Sequence, residues 1–298
     1  MLKYIFSFAL FAFFFACKNT DQPSISKGHI TIGVDEAIKP ILDAQVSTYK
    51  IHYPDADIST IVMQEDKGIN ELFKDSISLM ACTREFNADE RAVMKSRGIK
   101  YNPARFAVDA VALVVSENSK IDKLSIKELK ALFNKPGSKL IFDNGNSANL
   151  NLIADKIGLD SIPKSTVFAA KGNLEVLESV KKSPGAIGFI GFNWISDKDD
   201  PQSAKRMKGL KLVAVEKPNT GAYFEPNTKN IKDRNYAFER YIYLHTLSKV
   251  WGIENGFIRH SCSKIGQLVT EKMGLVPFYI IPKEFLLNNK AKQYNPVK

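Results

Sequence analysis

His29-Ile-Thr-Ile-Gly-Val34 alternates polar and apolar residues in the manner of a half-buried strand, and the period changes just beyond it. Ile38, Ile41, Leu42, Val46 and Tyr49 then fall on one helical face, so a strand is predicted to feed directly into an amphipathic helix. The same grammar repeats. Ile58 to Met63 reads as a second strand, Ile69, Leu72 and Phe73 mark a short helix, and Ile77 to Ala81 reads as a third strand. Asn87-Ala-Asp-Glu90 has the form of a capping box, in which the Asn side chain and Glu90 satisfy amides left without partners at a helix start. Strand–helix units in succession predict a parallel sheet flanked by helices, the α/β class.

Beyond this run, Phe106 to Val115 is a long apolar, β-branched stretch interrupted by Asp109, which reads as a structural hydrogen-bond acceptor or a ligand. Ser125-Ile-Lys-Glu128 is a second capping box. Lys139 to Asp143, Ala186 to Gly191, Lys211 to Glu216 and Arg240 to Thr246 read as strands, and Ser147 to Ile157 and Leu174 to Lys182 as helices. One long helix is expected from about Glu254 to Met273, stopped by Gly274 and Pro277. No low-complexity linker separates the halves, which fits two lobes joined by more than one crossing.

The N-terminus sets the compartment. Lys3 supplies a positive start, Tyr4 to Ala16 is an apolar run shorter than the roughly 20 residues a membrane span needs, and Ala16 precedes Cys17. This resembles a bacterial lipoprotein signal, which implies a signal peptide at 1–16, a lipidated Cys17, and a tether at 17–27. An ordinary signal peptide or a short anchor helix is the alternative; either way the chain is expected to be exported.

A composition of 44% hydrophobic and 25% charged residues is that of a globular chain able to bury a core. The net charge of +10 favours anionic partners, whether small oxyanions, anionic lipids or nucleic acid, although scattered Lys residues also suit a plain solvated surface. No arginine-rich groove supports nucleic-acid binding. The four histidines, His29, His52, His245 and His260, lack metal-ligand spacing, so no metal or cofactor is expected. Cys82 and Cys262 sit in apolar runs and read as buried thiols, with a disulfide left open.

Ligands of open α/β sheets bind beyond the carboxyl ends of the strands. Three loops stand out there. Asp35-Glu36 follows the first strand, Thr83-Arg84 the third, and Asn144-Gly-Asn-Ser-Ala-Asn149 joins Asp143 to a helix. Helix-end amides, a guanidinium and hydroxyl donors would together suit a small tetrahedral oxyanion. Each has a plainer reading: Gly145 and Ser147 as a turn and N-cap, and Arg84 as a surface residue capping a carbonyl. Gly145-Asn-Ser-Ala-Asn149 also approaches a nucleophile elbow, with Ser147 as nucleophile of a serine hydrolase, but the second glycine is missing.

Several segments match one family in order. Asp109-Ala-Val-Ala-Leu-Val-Val115, Lys171-Gly-Asn173, Ser183-Pro-Gly-Ala-Ile-Gly-Phe189, Arg240-Tyr-Ile-Tyr243 and Gly266-Gln267 with Gly274-Leu-Val-Pro277 resemble the phosphate-type solute-binding proteins of ABC transporters. The resemblance spans nearly all of residues 28–282. It implies the type II periplasmic-binding-protein fold, with a first lobe of 28–106 and 247–298, a second of 107–246, and two crossing strands. It further implies a non-enzymatic, monomeric protein that closes over phosphate or a related oxyanion for an ABC permease, held at the periplasmic or cell-surface side of a membrane through lipid on Cys17. Its ligand loops map to Asp35 and Glu36 through their backbone, to Thr83 and Arg84, to Asn146, Ser147, Ala148 and Asn149, and, more weakly, to Gly172 and Asn173. Arg84 would be the charge clamp and Asp143 an acceptor for the phosphate proton. The family's usual acid and arginine exchange places here, since the loop after the third strand carries Arg84 and the second-lobe loop carries Asp143. An adhesion or scaffold lipoprotein on the same fold is the competing class.

Overall fold

The computed structural model describes residues 22–280; the signal segment 1–16, Cys17 and the last residues of the chain lie outside them. Strand β1 (Gly28–Val34) enters a short 3-10 turn (Glu36–Ile38) and helix α1 (Lys39–His52), followed by β2 (Ala56–Val62), α2 (Glu65–Phe73), β3 (Leu79–Cys82) and α3 (Ala88–Ser96). β1 pairs in parallel with β2 on one side and β3 on the other, as the repeating strand–helix rhythm predicts. Ile38, Ile41, Leu42 and Tyr49 are fully buried. Removing each such side chain from water is worth about 1.5–3 kcal/mol, so this face fixes α1 on the sheet.

The long apolar run becomes β4 (Ala104–Ser116), the strand that ties the molecule together. As far as Ala110 it lies antiparallel to β12 (Glu239–His245); from Val111 it pairs with β8 (Ala186–Gly191). β8 is flanked by β6 (Lys139–Phe142), and β6 by β7 (Val167–Ala169). The main sheet therefore runs β2-β1-β3-β12-β4-β8-β6-β7 and bends about β4. In the second half, α4 (Ile126–Asn134), α5 (Ala148–Ile157) and α6 (Asn173–Lys182) pack around β6 and β8, where Phe142 stacks on Phe189 at 4.2 Å.

Two elements depart from the sequence reading. Lys211 to Glu216 is not one strand. β9 (Leu210–Leu212) pairs with β4, and the chain then leaves through buried Val213 to form β10 (Ala214–Glu216) of a small second sheet. The single closing helix is two, α9 (Ile253–Cys262) and α10 (Lys264–Lys272), broken at Ser263, whose backbone is extended. Ser263 Oγ bonds the His260 carbonyl at 2.7 Å, and Gln267 reaches the carbonyls of Ser261 and Phe106 at 2.7 and 2.9 Å. Gly266 makes the turn possible, since a Cβ there would sit 2.4 Å from the His260 and Ser261 oxygens. Both capping boxes form as read. Cys82 is buried, Cys262 is partly buried, and both are free thiols. Among the described residues no helix is long and apolar enough to cross a membrane.

Candidate functional site

The carboxyl ends of β1, β3, β6 and β8 meet between the halves of the molecule. Asp35, buried at the end of β1, accepts the Ala37 amide at 3.0 Å and so caps the 3-10 turn. The next residue crosses the gap. Both Glu36 carboxylate oxygens accept the backbone N–H of Asn173, at 3.0 and 3.1 Å, and the Asn173 side-chain amide bonds the same carboxylate. The sequence assigned Glu36 a backbone role; the structure uses its side chain, because the N-terminus of α6 presents free amides and a positive dipole end to it. Two more bonds fasten the same loop: Asn193 Nδ2 donates to the Ala37 carbonyl at 2.7 Å, and Trp194 Nε1 to the Glu36 carbonyl at 3.2 Å.

Gly172 and Asn173, the weaker candidates from sequence, lie at the centre. Gly172 has φ of +107°, and a Cβ there would fall 2.8 Å from Glu36 Oε1. Its amide donates to the Asp143 carbonyl at 2.8 Å. Asn173 Oδ1 accepts the Gly191 amide at 2.8 Å and Asn149 Nδ2 at 3.3 Å. Asn149 is fully buried; its amide nitrogen donates to Asp143 at 2.8 Å and its oxygen accepts from Arg240 at 2.9 Å. Ser147 caps α5 by accepting the Leu150 amide at 3.0 Å, with Ala148 buried beside it. Asn146 is exposed and, among the described residues, bonds Asn144 of its own loop and Asn151 of the helix that follows. The Asn144 side chain instead bridges the halves by accepting from Gln64 at 3.1 Å.

Arg84 is tied to its own loop and the neighbouring helices rather than across the gap. Its guanidinium bonds Glu90 through both terminal nitrogens, at 2.9 and 2.8 Å, and Asp66 at 2.8 Å, and among the described residues it bonds nothing across the gap. The reason is local. Glu90 sits in the capping box of α3, and a planar guanidinium pairs with it in two-pronged fashion. Thr83, one residue earlier, does face a carboxylate: its amide and its hydroxyl (2.8 Å) both donate to Glu65. Glu65 was missed in the sequence because it opens a helix like any first-turn acid.

Among the described residues the buried cation bonded into this network is Arg240, which is 4% exposed and pairs with fully buried Asp109 at 2.9 Å. Asp109 also accepts the Asn193 amide at 3.0 Å and its side chain at 3.1 Å. Of the two readings of Asp109, the structural acceptor is the one seen.

Carboxylates dominate what remains. Burial, reinforced by Glu65 and Asp143, pushes Asp35 well above the usual range, and burial likewise raises Asp143. Glu36 is pushed up to about 7, again chiefly by burial, with its bonds to Asn173 pulling the other way. The serine-hydrolase alternative finds no support: among the described residues no histidine bonds Ser147, whose oxygen caps α5, and His245 is a buried strand residue bonded to the Arg84 carbonyl at 3.0 Å. A cavity of about 430 Å³ lined by Phe86, Tyr101 and His245 shares no residue with this network.

Two crossing strands, helix N-termini converging between two halves, and buried polar contacts across the gap define a periplasmic-binding-protein architecture. A model of the PBP superfamily domain matches residues 19–258, and the chain belongs to that family. Among curated relatives, it is 23% identical to the phosphate-binding protein PstS of Staphylococcus saprophyticus over 257 residues, covering 81% of this chain and 78% of that one. Among solved structures, it is similar to a Clostridium perfringens protein assigned as a phosphate ABC transporter substrate-binding protein, with bound phosphate. That likeness has a TM-score of 0.68 and 16% identity, over 85% of this chain and 100% of that one. An ABC-type phosphate transport receptor from Vibrio cholerae gives a TM-score of 0.62 at 17% identity, over 84% and 100%. At these identities the solved structures speak for the fold.

Proposed function

We propose that this chain is an exported solute-binding protein that captures phosphate, or a closely related tetrahedral oxyanion, between two lobes and delivers it to an ABC permease. One observation carries the reading: amides facing the gap from both sides already hold oxyanions, the Asn173 N–H taking the Glu36 carboxylate and the Thr83 N–H that of Glu65. Donors that seat a carboxylate also suit a phosphate oxygen. The names of the relatives and of the similar structures point to the same ligand. On this reading the lobes are 28–106 with 247–298, and 107–246, and lipid on Cys17 would anchor the protein outside the cytoplasm.

The ligand would lie against Thr83, the N-terminus of α5 at Ser147 and Ala148, and Gly172-Asn173, with Arg240 as the buried positive charge in place of Arg84. In its ionised form Asp143 would accept the proton of a protonated oxyanion. Hydrogen phosphate has a proton to give such a carboxylate, whereas sulfate has none. No bond is made or broken; closure is favoured because the ligand contacts both lobes only when they meet.

A thermal-shift series with phosphate, arsenate, sulfate and molybdate tests this. At 100 times its dissociation constant a ligand adds about 2.7 kcal/mol, a rise of roughly 5 °C or more for a protein of this size. Phosphate is expected to give that rise and sulfate a smaller one; no response to any oxyanion would reject the reading.

A further inference from the structure

We infer that the Glu36 carboxyl group is a latch that holds the lobes shut without ligand and has to leave its seat when an oxyanion enters. This rests on the reading of the gap as an oxyanion site. Glu36 is contributed by the turn after β1, yet the bonds its carboxylate makes are all to Asn173 across the gap. The bonds from Trp194 to its carbonyl and from Asn193 to the neighbouring Ala37 carbonyl make three successive groups of one turn grip the opposite side.

The seat is shaped for an oxyanion. Gly172 leaves room that a side chain would fill, with its missing Cβ 2.8 Å from Glu36 Oε1. Among the described residues Glu36 has no ion-pair partner; the nearby Lys39 is paired with Asp43. The carboxylate is thus held by amides alone, while Asp143 repels it. A contact of that kind closes the molecule and still yields to a better acceptor. A tetrahedral oxyanion offers more acceptor oxygens than a carboxylate, so it can take both Asn173 donors and bond the opposite lobe with the rest. The latch would then be a competitor of the ligand, and its strength would set both the resting conformation and the apparent affinity.

Small-angle scattering of the protein without ligand, paired with phosphate titration calorimetry, tests this on wild type, Glu36→Ala and Glu36→Gln. The Gln variant keeps the side-chain shape and serves if Ala lowers stability. For the latch, wild type stays compact with or without phosphate, both variants expand without ligand and contract again on phosphate, and phosphate affinity rises about tenfold. Variants that scatter like wild type without ligand, or that bind phosphate equally or more weakly, overturn it. Failure of wild type and variants alike to bind phosphate would sink the oxyanion reading and the competition with it. Expansion of the variants without ligand would in that case still uphold Glu36 as the clasp between lobes.

Discussion

Arg84 and Arg240 show how one residue type takes different work from its surroundings. Arg84 is part-exposed and shared between Glu90 and Asp66, so Arg84→Ala should cost about 1 kcal/mol of stability and change phosphate affinity less than twofold. Calorimetry and urea denaturation read the two effects separately; a tenfold loss of affinity would return Arg84 to the site. Arg240 is buried against Asp109, and Arg240→Met would strand that carboxylate at a cost of about 3–5 kcal/mol in urea unfolding. Adding Asp109→Asn should recover part of the loss, and a single-variant cost below about 1 kcal/mol would contradict the pairing.

The site carboxylates also set a pH profile. Glu36 is raised from its ordinary 4.5 to about 7, so its contribution to stability is whole below about pH 4.5 and is lost as pH climbs through 7. Asp35 and Asp143 are shifted in the same direction. Buried His245 and His260 act oppositely: lowered from 6.5 to about 4, they contribute fully above pH 6.5 and lose that contribution as pH falls through 4. Melting temperature tied to the histidines should therefore fall below about pH 6.5 and that tied to Glu36 should fall between about pH 4.5 and 7, with Glu36→Gln flattening the decline from pH 6 to 7. A profile that rises from pH 6 to 8 would contradict these shifts.

Among the elements, those whose signal is local were legible in the sequence. The 3.6-residue stripe of α1, the two-residue alternation of β1, and the capping boxes at Asn87 and Ser125 all form where their residues predict. Asn87→Ala should cost about 1 kcal/mol through loss of its cap. What was not legible depends on distant partners. Nothing between Arg259 and Ser263 is a helix breaker, so the residues alone predict a continuous helix; the break follows from packing of Gly266 on the His260–Ser261 backbone. Gly266→Ala should therefore destabilise by about 1–3 kcal/mol or more in urea unfolding, far beyond the slight gain alanine gives an open helix position. The split at Val213 likewise reflects pairing with two different sheets. The loops of the site were found because they follow strand ends. The partners within them were not, since Glu36 and Asn173 stand far apart in the chain and meet only when the halves close.

Across the whole molecule, the sequence carries a net charge of +10 while the gap gathers the carboxyl groups of Asp35, Glu36, Glu65 and Asp143. On the proposed reading the positive charge would raise the local concentration of anions. The halves share β4, which pairs with β12 on one side and β8 on the other, so any closure on the proposed reading would bend the sheet about shared strands. Glu36 and Asn173 span that bend, which makes the amide donors of the gap the point where ligand and conformation meet. Titration calorimetry of the purified protein with phosphate, run beside sulfate, bears on this most directly. Phosphate should bind at a single site with at least tenfold preference over sulfate; the absence of phosphate binding, or an equal affinity for sulfate, would contradict the account.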